Sequence, residues 1–337
     1  MAINTAAFSP KQFQVLIAEQ DVFGTLEATN DYHALDVDSV GTPSLNPTQV
    51  LDVRTGSRVL QKEDFFQDTK ASIKEISVSG TATTAALDML LENITGEAEG
   101  SASGVYSFAS NAGVQSVGKT DTGQVGTLLS VVVKSPLSNS DLSFKDCVVT
   151  SLTLNGDVGT EGGRVKFSVT FQTGSVVEDL SDASTTVDTA FGANENYFMS
   201  GWSDTSYRKI YGVDDLVLSA FSLTLENPAT FSGLVSTGYE IVSRAGEFSA
   251  NLDITAKYDA NTEPLMASFN NQTQHAATAA QATLLNNDSS LTDGAFGISM
   301  PKTFLTNVAF NEGDVMMLDV SVKAVGDSSN ALVEVSC

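Results

Sequence analysis

Cysteine and histidine are scarce in this 337-residue chain, two of each, and there is a single tryptophan. Cys147, inside an apolar run, and Cys337, at the last position, offer neither a disulfide framework nor a metal-ligand spacing. So low a count suits synthesis in a reducing compartment. With His33 and His275 both in polar surroundings, a Ser-His-Asp or Cys-His constellation has almost no material, and the G-x-S-x-G elbow is absent. Basic residues are few: 17 Lys and Arg stand against 41 Asp and Glu, a net charge of −24 at pH 7. A chain so acidic cannot hold a nucleic acid by neutralising its phosphates. The acid is spread through both halves and does not form a tail. No apolar run approaches the roughly 18 residues that span a bilayer. The opening residues, Met1 to Pro10, show neither the basic nor the apolar region of an export signal.

What is abundant is strand and turn chemistry. The chain holds 39 Ser, 34 Thr and 26 Gly, while charged residues are 17%, below the roughly 25% of an ordinary domain. Period-two alternation recurs, as in Ser72 to Ser79, Arg164 to Phe171 and Phe248 to Thr255, and each stretch reads as a half-buried strand. Asn155 to Gly163 separates two such strands with glycines and an Asn-Gly pair, which predicts a hairpin with a long loop. Helix signals are few. Thr84 to Ile94 places Leu87, Leu90, Leu91 and Ile94 on one face after a Thr cap and stops at Gly96. A shorter helix follows Thr262, with Pro264 in its first turn. The length exceeds the ~250–300 residues at which one core stops growing, so two domains are expected.

An internal repeat supports that expectation. Ile76-Ser-Val-Ser-Gly followed by Leu87-Asp-Met-Leu-Leu matches Leu252-Asp-Ile-Thr-Ala followed by Glu263-Pro-Leu-Met-Ala, 176 residues on. Ser151 to Asn155 matches Asn307 to Asn311, and Arg164 to Phe171 matches Asp314 to Ser321. Upstream, Phe221-Ser-Leu-Thr-Leu-Glu-Asn-Pro precedes the second copy as Phe13-Gln-Val-Leu-Ile and the segment to Arg58 precede the first. The expected division is residues 1–177, a linker and aromatic clasp at 178–212, and residues 213–337. The aromatics there (Tyr197, Trp202, Tyr207, Tyr211) fit equally well as a cap on the second domain's core. Two long Gly/Ser/Asp-rich segments, Ile17 to Val53 and Gly96 to Gly126, are of a size that reaches partners.

The motifs that imitate chemistry fail on context. Gly113 to Thr120 matches the phosphate-cradling P-loop, but Asp-Thr-Gly-Gln-Val-Gly follows where a helix must open. Glu63 with Asp64, and Asp214 with Asp215, are carboxylate neighbours that 41 acidic residues guarantee. Asp36-Val-Asp38-Ser-Val-Gly41 opens like a calcium loop, yet Gln49 and Val50 stand where the closing Glu belongs. Asn93-Ile-Thr95 and Asn271-Gln-Thr273 fit the glycosylation acceptor pattern but need export. The residues therefore assign no catalytic, cofactor or metal site.

The order of elements resembles that of phage major tail tube proteins. The carrying residues are the strand and helix from Ile76 to Gly96, the hairpin Val149 to Phe171, and the Phe221 to Pro228 and Lys257-Tyr-Asp segments. The resemblance implies an all-β fold with short flanking helices: two tandem tail-tube-like β-sandwich domains that assemble into a ring with a β-lined channel for DNA. It implies stacked rings, a virion location with assembly in the host cytoplasm, and contacts with tape measure and with tail terminator or tip proteins. One domain per chain is common in the family. Two resembles the fused-domain tubes of certain non-contractile, long-tailed phages, and implies trimeric rings of pseudo-sixfold symmetry, a hexamer being the alternative. Channel side chains should be on balance acidic, so that DNA slides. A different class, an extracellular or surface β-sandwich module such as an adhesin or carbohydrate binder, fits the composition too.

Overall fold

The computed structural model describes residues 12–28, 32–41, 48–51, 59, 65–68, 70–96, 104–109, 115–118, 128–136, 141–180, 196–244, 246–271, 281–286, 290–326 and 330–337. The first half runs β1 (Gln14–Glu19), β2 (His33–Ala34), β3 (Val37–Val40), β4 (Thr48–Leu51), β5 (Phe65–Asp68), β6 (Lys74–Thr81), α1 (Thr84–Thr95), β7 (Val105–Ala109), β8 (Gln115–Gly118), β9 (Leu129–Lys134), β10 (Asp141–Asp157), β11 (Lys166–Thr173) and β12 (Glu178–Leu180). The second half runs β13 (Arg208–Ile210), β14 (Leu218–Glu226), β15 (Thr230–Val235), β16 (Gly238–Arg244), β17 (Ser249–Lys257), α2 (Glu263–Asn270), β18 (Ala282–Leu284), β19 (Gly297–Met300), β20 (Thr303–Asn311), β21 (Met317–Ala324) and β22 (Ala331–Ser336). Among the described residues the fold is an all-β sandwich with two short α-helices, as the composition predicted.

The helices form where the apolar spacing put them. In α1, Leu87, Leu90, Leu91 and Ile94 are fully buried. Gly96 ends the helix in the left-handed region (φ 70°), its N–H donating to the Glu92 carbonyl, a conformation in which glycine carries no Cβ penalty. The residue before the helix is Thr83, whose hydroxyl makes no capping bond. In α2, Pro264 occupies the first turn and Leu265 is the one buried residue.

The main layer has the strand order β3-β6-β11-β10-β14-β17-β21-β20, so strands of both halves form one continuous sheet joined where β10 pairs with β14. β10 serves two layers: its first residues pair with β9 and β12, its last with β11 and β14. The bend between them falls at Asp146, which has φ 55°, inside a register break between Phe144 and Cys147. The second layers are β2-β1-β9 leading into β10, and β13-β18-β19-β22-β7.

Cross-strand register shows the repeat to be in phase throughout the main layer. Val78 faces Val169 and Val40 in the first half, as Ile254 faces Val320 and Phe221 in the second. Leu152 faces Val169 as Val308 faces Val320. Even the β-bulges coincide: Val37/Ser39 with Leu218/Ala220, and Val149/Ser151 with Leu305/Asn307. Ile76 and Leu252 are counterparts, as the 176-residue spacing requires. Two alignments change. The counterpart of Phe167 is Leu318, one residue beyond the sequence match, because Phe167 faces Gly80 as Leu318 faces Ala256. The counterpart of β14 is β3, since each borders the equivalent central strand; the segment from Phe13 forms β1, which pairs with β2 and β9.

The halves also exchange strands. β7 pairs with β22, and β8 with β16, so the Gly96 to Gly126 segment sends strands into the second half. One hydrophobic core runs through both, from Ile76, Leu90 and Phe171 to Leu252, Leu265 and Val320. Ile76, Val78, Leu252 and Ile254 point into it, and Ser77, Ser79, Asp253 and Thr255 point away, as period-two alternation demands.

Candidate functional site

The outward face of the main layer is mostly polar, because alternate residues of its strands are largely Ser, Thr, Asn, Gln or charged, with Ala220, Phe304, Ala309 and Met317 as apolar positions among them. One row crosses the sheet as Ser39, Ser79, Ser168, Thr153, Thr224, Asn251 and Lys323, each opposite the next. The hydroxyls satisfy one another: Ser39 Oγ lies 2.7 Å from Ser79 Oγ, Ser77 Oγ 3.3 Å from Thr170 Oγ1, and Thr153 Oγ1 3.4 Å from Thr224 Oγ1. Thr255 Oγ1 donates to Asp319 Oδ1 at 2.7 Å, and Gln172 Nε2 to Glu75 Oε2 at 3.1 Å. Short side chains bonded to their neighbours make a flat surface with little reach.

Acid outnumbers base on this face. Asp38, Glu75, Asp157, Glu226, Asp253 and Asp319 stand against Lys166, Lys257 and Lys323. Lys166 is itself matched, its ammonium 2.8 Å from both Asp38 and Glu161. Hydrogen bonds to Asp38, then Glu161, raise its pKa. Lys323 lies 3.2 Å from Glu247.

Both sheet edges are open: among the described residues, the outer edges of β3 and β20 pair with no strand. An open edge exposes a row of unpaired N–H and C=O groups that templates pairing with another chain. Phe304 and Phe310 on β20 are about half exposed, at 48% and 51%.

Two buried polar clusters hold the bends that set this surface. Asp146, 1% exposed, accepts hydrogen bonds from Gln20 Nε2 and the Gly24 amide, both 2.6 Å, and from the Ser175 hydroxyl. It ties the β1 loop to the bend of β10. Arg244, 6% exposed, points its guanidinium at the carbonyls of Asn93, Ile94 and Val149. It has no carboxylate among these partners; the acceptors are the last turn of α1 and the bulge of β10. Nothing in the local pattern of the sequence marked either residue, since their hydrogen-bond partners lie 29 to 151 residues away.

Sequence motifs that imitate sites have structural roles. Within Gly113 to Thr120, the described residues 115–118 form β8, antiparallel to β16, and the rest lies outside the described residues, as do His275, Glu63, Asp64 and residues 181–195 of the expected linker. Asp36 and Asp38 reach Arg164 (3.6 Å) and Lys166 along β3. Asp214 lies 3.5 Å from Lys209, and Asp215 accepts from Thr205 at 2.9 Å. Asn93 is fully buried, its Oδ1 accepting from the Val149 amide at 2.6 Å and from Arg244, so it is no glycan acceptor. Burial pushes the Cys147 thiol pKa up, which suits packing and not reactivity. Trp202 stacks on Phe296 (5.6 Å), meets Phe221 edge-on (4.9 Å), and donates from Nε1 to the Phe296 carbonyl at 2.7 Å. It packs within the core shared by the halves, while the Tyr197 hydroxyl lies 3.1 Å from Thr84 Oγ1 at the start of α1. An outer groove of about 550 Å³ is lined by Tyr207, Lys209, Thr283, Ser299 and Glu334. No group of three or more His, Cys, Asp or Glu gathers at metal-binding distance among the described residues.

An antiparallel sandwich whose main layer has a mostly polar outer face and, among the described residues, two unpaired edges offers places where a further strand can pair. The sequence model of the phage tail tube protein family matches residues 11–324. The chain belongs to the phage tail tube protein family and is a structural component of the tail tube. Compared with curated proteins, it matches none.

Proposed function

We propose that three copies close into a ring through β3 and β20, with the polar face of the main layer lining the lumen, and that stacked rings conduct DNA during genome ejection. The observation that carries this reading is the eight-strand layer, built of two in-phase sets of four strands and open at both ends. Ring closure pairs each edge with the opposite edge of the next copy and leaves none exposed. Three copies bring 24 strands; at ~4.8 Å between strands the circumference is about 115 Å and the backbone-to-backbone diameter about 37 Å before strand tilt widens it. Side chains take a few ångströms from each wall, and a duplex of ~20 Å still passes. Six copies would double that diameter to about 73 Å and lose contact between wall and duplex.

The wall chemistry suits passage. Hydroxyls bonded to each other, with acid in excess, hold a layer of water and ions without trapping phosphates by counterion release. In this reading residues 1–177 and 213–337 are the two repeat units, with 178–212 between them. The protein has no enzymatic role, works in the virion after assembly in the host cytoplasm, and meets tape measure and terminator or tip proteins at the tube. The family assignment leaves the adhesin or carbohydrate-binder alternative without support. End-on electron micrographs of purified tubes test the reading: three copies per ring are expected, and six copies, or no channel, reject it.

A further inference from the structure

Apart from Phe304 and Phe310 on the edge strand β20, the large apolar side chains that the main layer exposes among the described residues sit just beyond the ends of its strands. They divide between two rims. Because neighbouring strands are antiparallel, β10 ends at Asp157 beside the starts of β11 and β14, and Lys257, Met317 and Asn311 stand at that same end, the upper rim. The lower rim is the opposite end. A ring closed through the sheet edges turns these strand ends toward its two faces.

On the upper rim Val158, Val217, Val315 and Met316 are 46–58% exposed. Main-chain bonds past the strands hold them in one row. The Val158 amide donates to the Ser219 carbonyl at 2.8 Å, the Lys257 amide to that of Val217 at 2.9 Å, and the Tyr258 amide to that of Met316 at 3.1 Å. On the lower rim Ile73 precedes β6 and Val325 follows β21, 39% and 41% exposed. The Val325 amide donates to the Lys302 carbonyl at 3.0 Å, and the Tyr239 hydroxyl to the Ala71 carbonyl at 2.9 Å, so this rim is tied down as well.

The rims differ in charge. Residues 157–163, 214–217, 258–263 and 312–316 of the upper rim carry eight carboxylates and no Lys or Arg. Lys166 and Lys209, set back from it, reach Glu161 and Asp214. On the lower rim, residues 70–73, 174–177, 227–229, 246–248, 301–302 and 325–326 carry Lys70, Lys302 and one carboxylate, Glu247, which lies 3.2 Å from Lys323. Two upper rims in contact would set acid against acid well inside the ~8 Å over which salt screens charge. An upper rim on a lower rim instead brings that acid to Lys70 and Lys302 and buries both apolar rows. Such a contact joins unlike surfaces, so it does not close on itself and repeats along the ring axis as an open stack.

We propose that the upper rim of one ring seats on the lower rim of the ring formed by further copies of the chain, apolar row against apolar row, and that the one-sided acid fixes this head-to-tail polarity. The proposal rests on the ring reading and adds to it the surfaces and the direction of stacking.

Two double variants at exposed positions test it, V315E/M316E on the upper rim and I73E/V325E on the lower. Each should keep the native circular dichroism and close into single rings that do not elongate, by electron microscopy and light scattering. Mixed in equal amounts they should form pairs of rings and nothing longer, because one variant brings the intact upper rim and the other the intact lower rim. Tubes from either variant alone overturn the role of the substituted rim. A mixture that stays as single rings overturns the contact between unlike rims, and ring pairs formed by either variant alone, through two like rims, overturn the polarity. A folded variant that closes no ring overturns the placement of its residues on a rim. If a double variant loses its native circular dichroism, V158E or V325E repeats the test on that rim with one substitution. Unsubstituted protein that forms rings but never stacks them overturns this inference and leaves ring closure standing, whereas the absence of rings overturns the ring reading itself.

Discussion

Arg244, on β16 of the second half, donates through Nη2 to both the main-chain carbonyl (2.7 Å) and the side-chain Oδ1 (2.9 Å) of Asn93, in the last turn of α1 of the first half. A helix C-terminus presents carbonyls without intrahelical partners and a negative dipole end, so a buried cation is matched there without a carboxylate. Burial lowers the Arg244 pKa to about 10, which leaves the guanidinium charged at neutral pH. Arg244→Ala strands those carbonyls and should lower stability by about 3 kcal/mol in urea unfolding. Arg244→Lys should recover less than half of that, because an ammonium cannot span acceptors on both α1 and β10. Full recovery by Lys would mean that charge alone matters.

The halves should not fold apart. Expressed separately, residues 1–180 lose the strand that β10 needs on its outer side, and residues 196–337 lose β7 beside β22 and β8 beside β16. Each piece also exposes half of a single shared core. Neither piece is expected to show cooperative thermal unfolding, and the intact chain should unfold in one transition. Two separate transitions in the intact chain would count against a common core.

Alternation sets the response to charge on β17. Ile254, 2% exposed, faces the core, and Ile254→Asp should abolish soluble protein, since an unpaired carboxylate there has no partner. Thr255 is on the polar face, but its hydroxyl bonds Asp319, directly opposite. Thr255→Asp should therefore fold with a loss of about 0.5–1 kcal/mol from like charges facing across strands, and Thr255→Asn should be closer to neutral. Comparable insolubility of Ile254→Asp and Thr255→Asp would contradict the register.

Tyr32 provides an alkaline signature. Burial raises its pKa to about 12, with the Glu27 carboxylate adding to the effect. Between pH 10 and about 12 the folded chain keeps a phenolic proton that the unfolded chain releases, so stability falls as pH rises through that window. Tyr32→Phe should unfold less steeply with pH over the same range. An identical slope in both proteins would remove Tyr32 from the alkaline transition.

Base on the polar face should convert a slide into a trap. The triple variant Ser168→Lys, Thr153→Lys and Thr224→Lys places three adjacent cations in one row of the sheet. Rings should still form, since none of these side chains is in the core. Purified tubes should bind short duplex DNA that the unsubstituted tubes do not retain, and binding should weaken steeply with salt. Retention unchanged by the substitutions would place this face away from the lumen.

The sequence by itself determined the strand pattern, both helices and the existence of the repeat, because alternation with period two, an apolar stripe with period 3.6 and a glycine stop are local properties that the chain expresses wherever it folds. Ile76 and Leu252 are counterparts for that reason, and Ser77 and Asp253 face outward for it. Tertiary structure alone decided which strand lies beside which. That β14 joins β10 to make one sheet, that β7 and β8 cross into the second half, and that β3 and not β1 is the partner strand of β6 depend on contacts between residues far apart in the chain, on which periodicity is silent. The same holds for Asn93, which carries a glycosylation pattern in sequence and closes a helix in the fold, and for Phe167, whose counterpart shifts by one residue because a hairpin's register is set by its loop and bulges. The two edges of the main layer that stay unpaired among the described residues, β3 and β20, emerge only once the strands between them have found their neighbours.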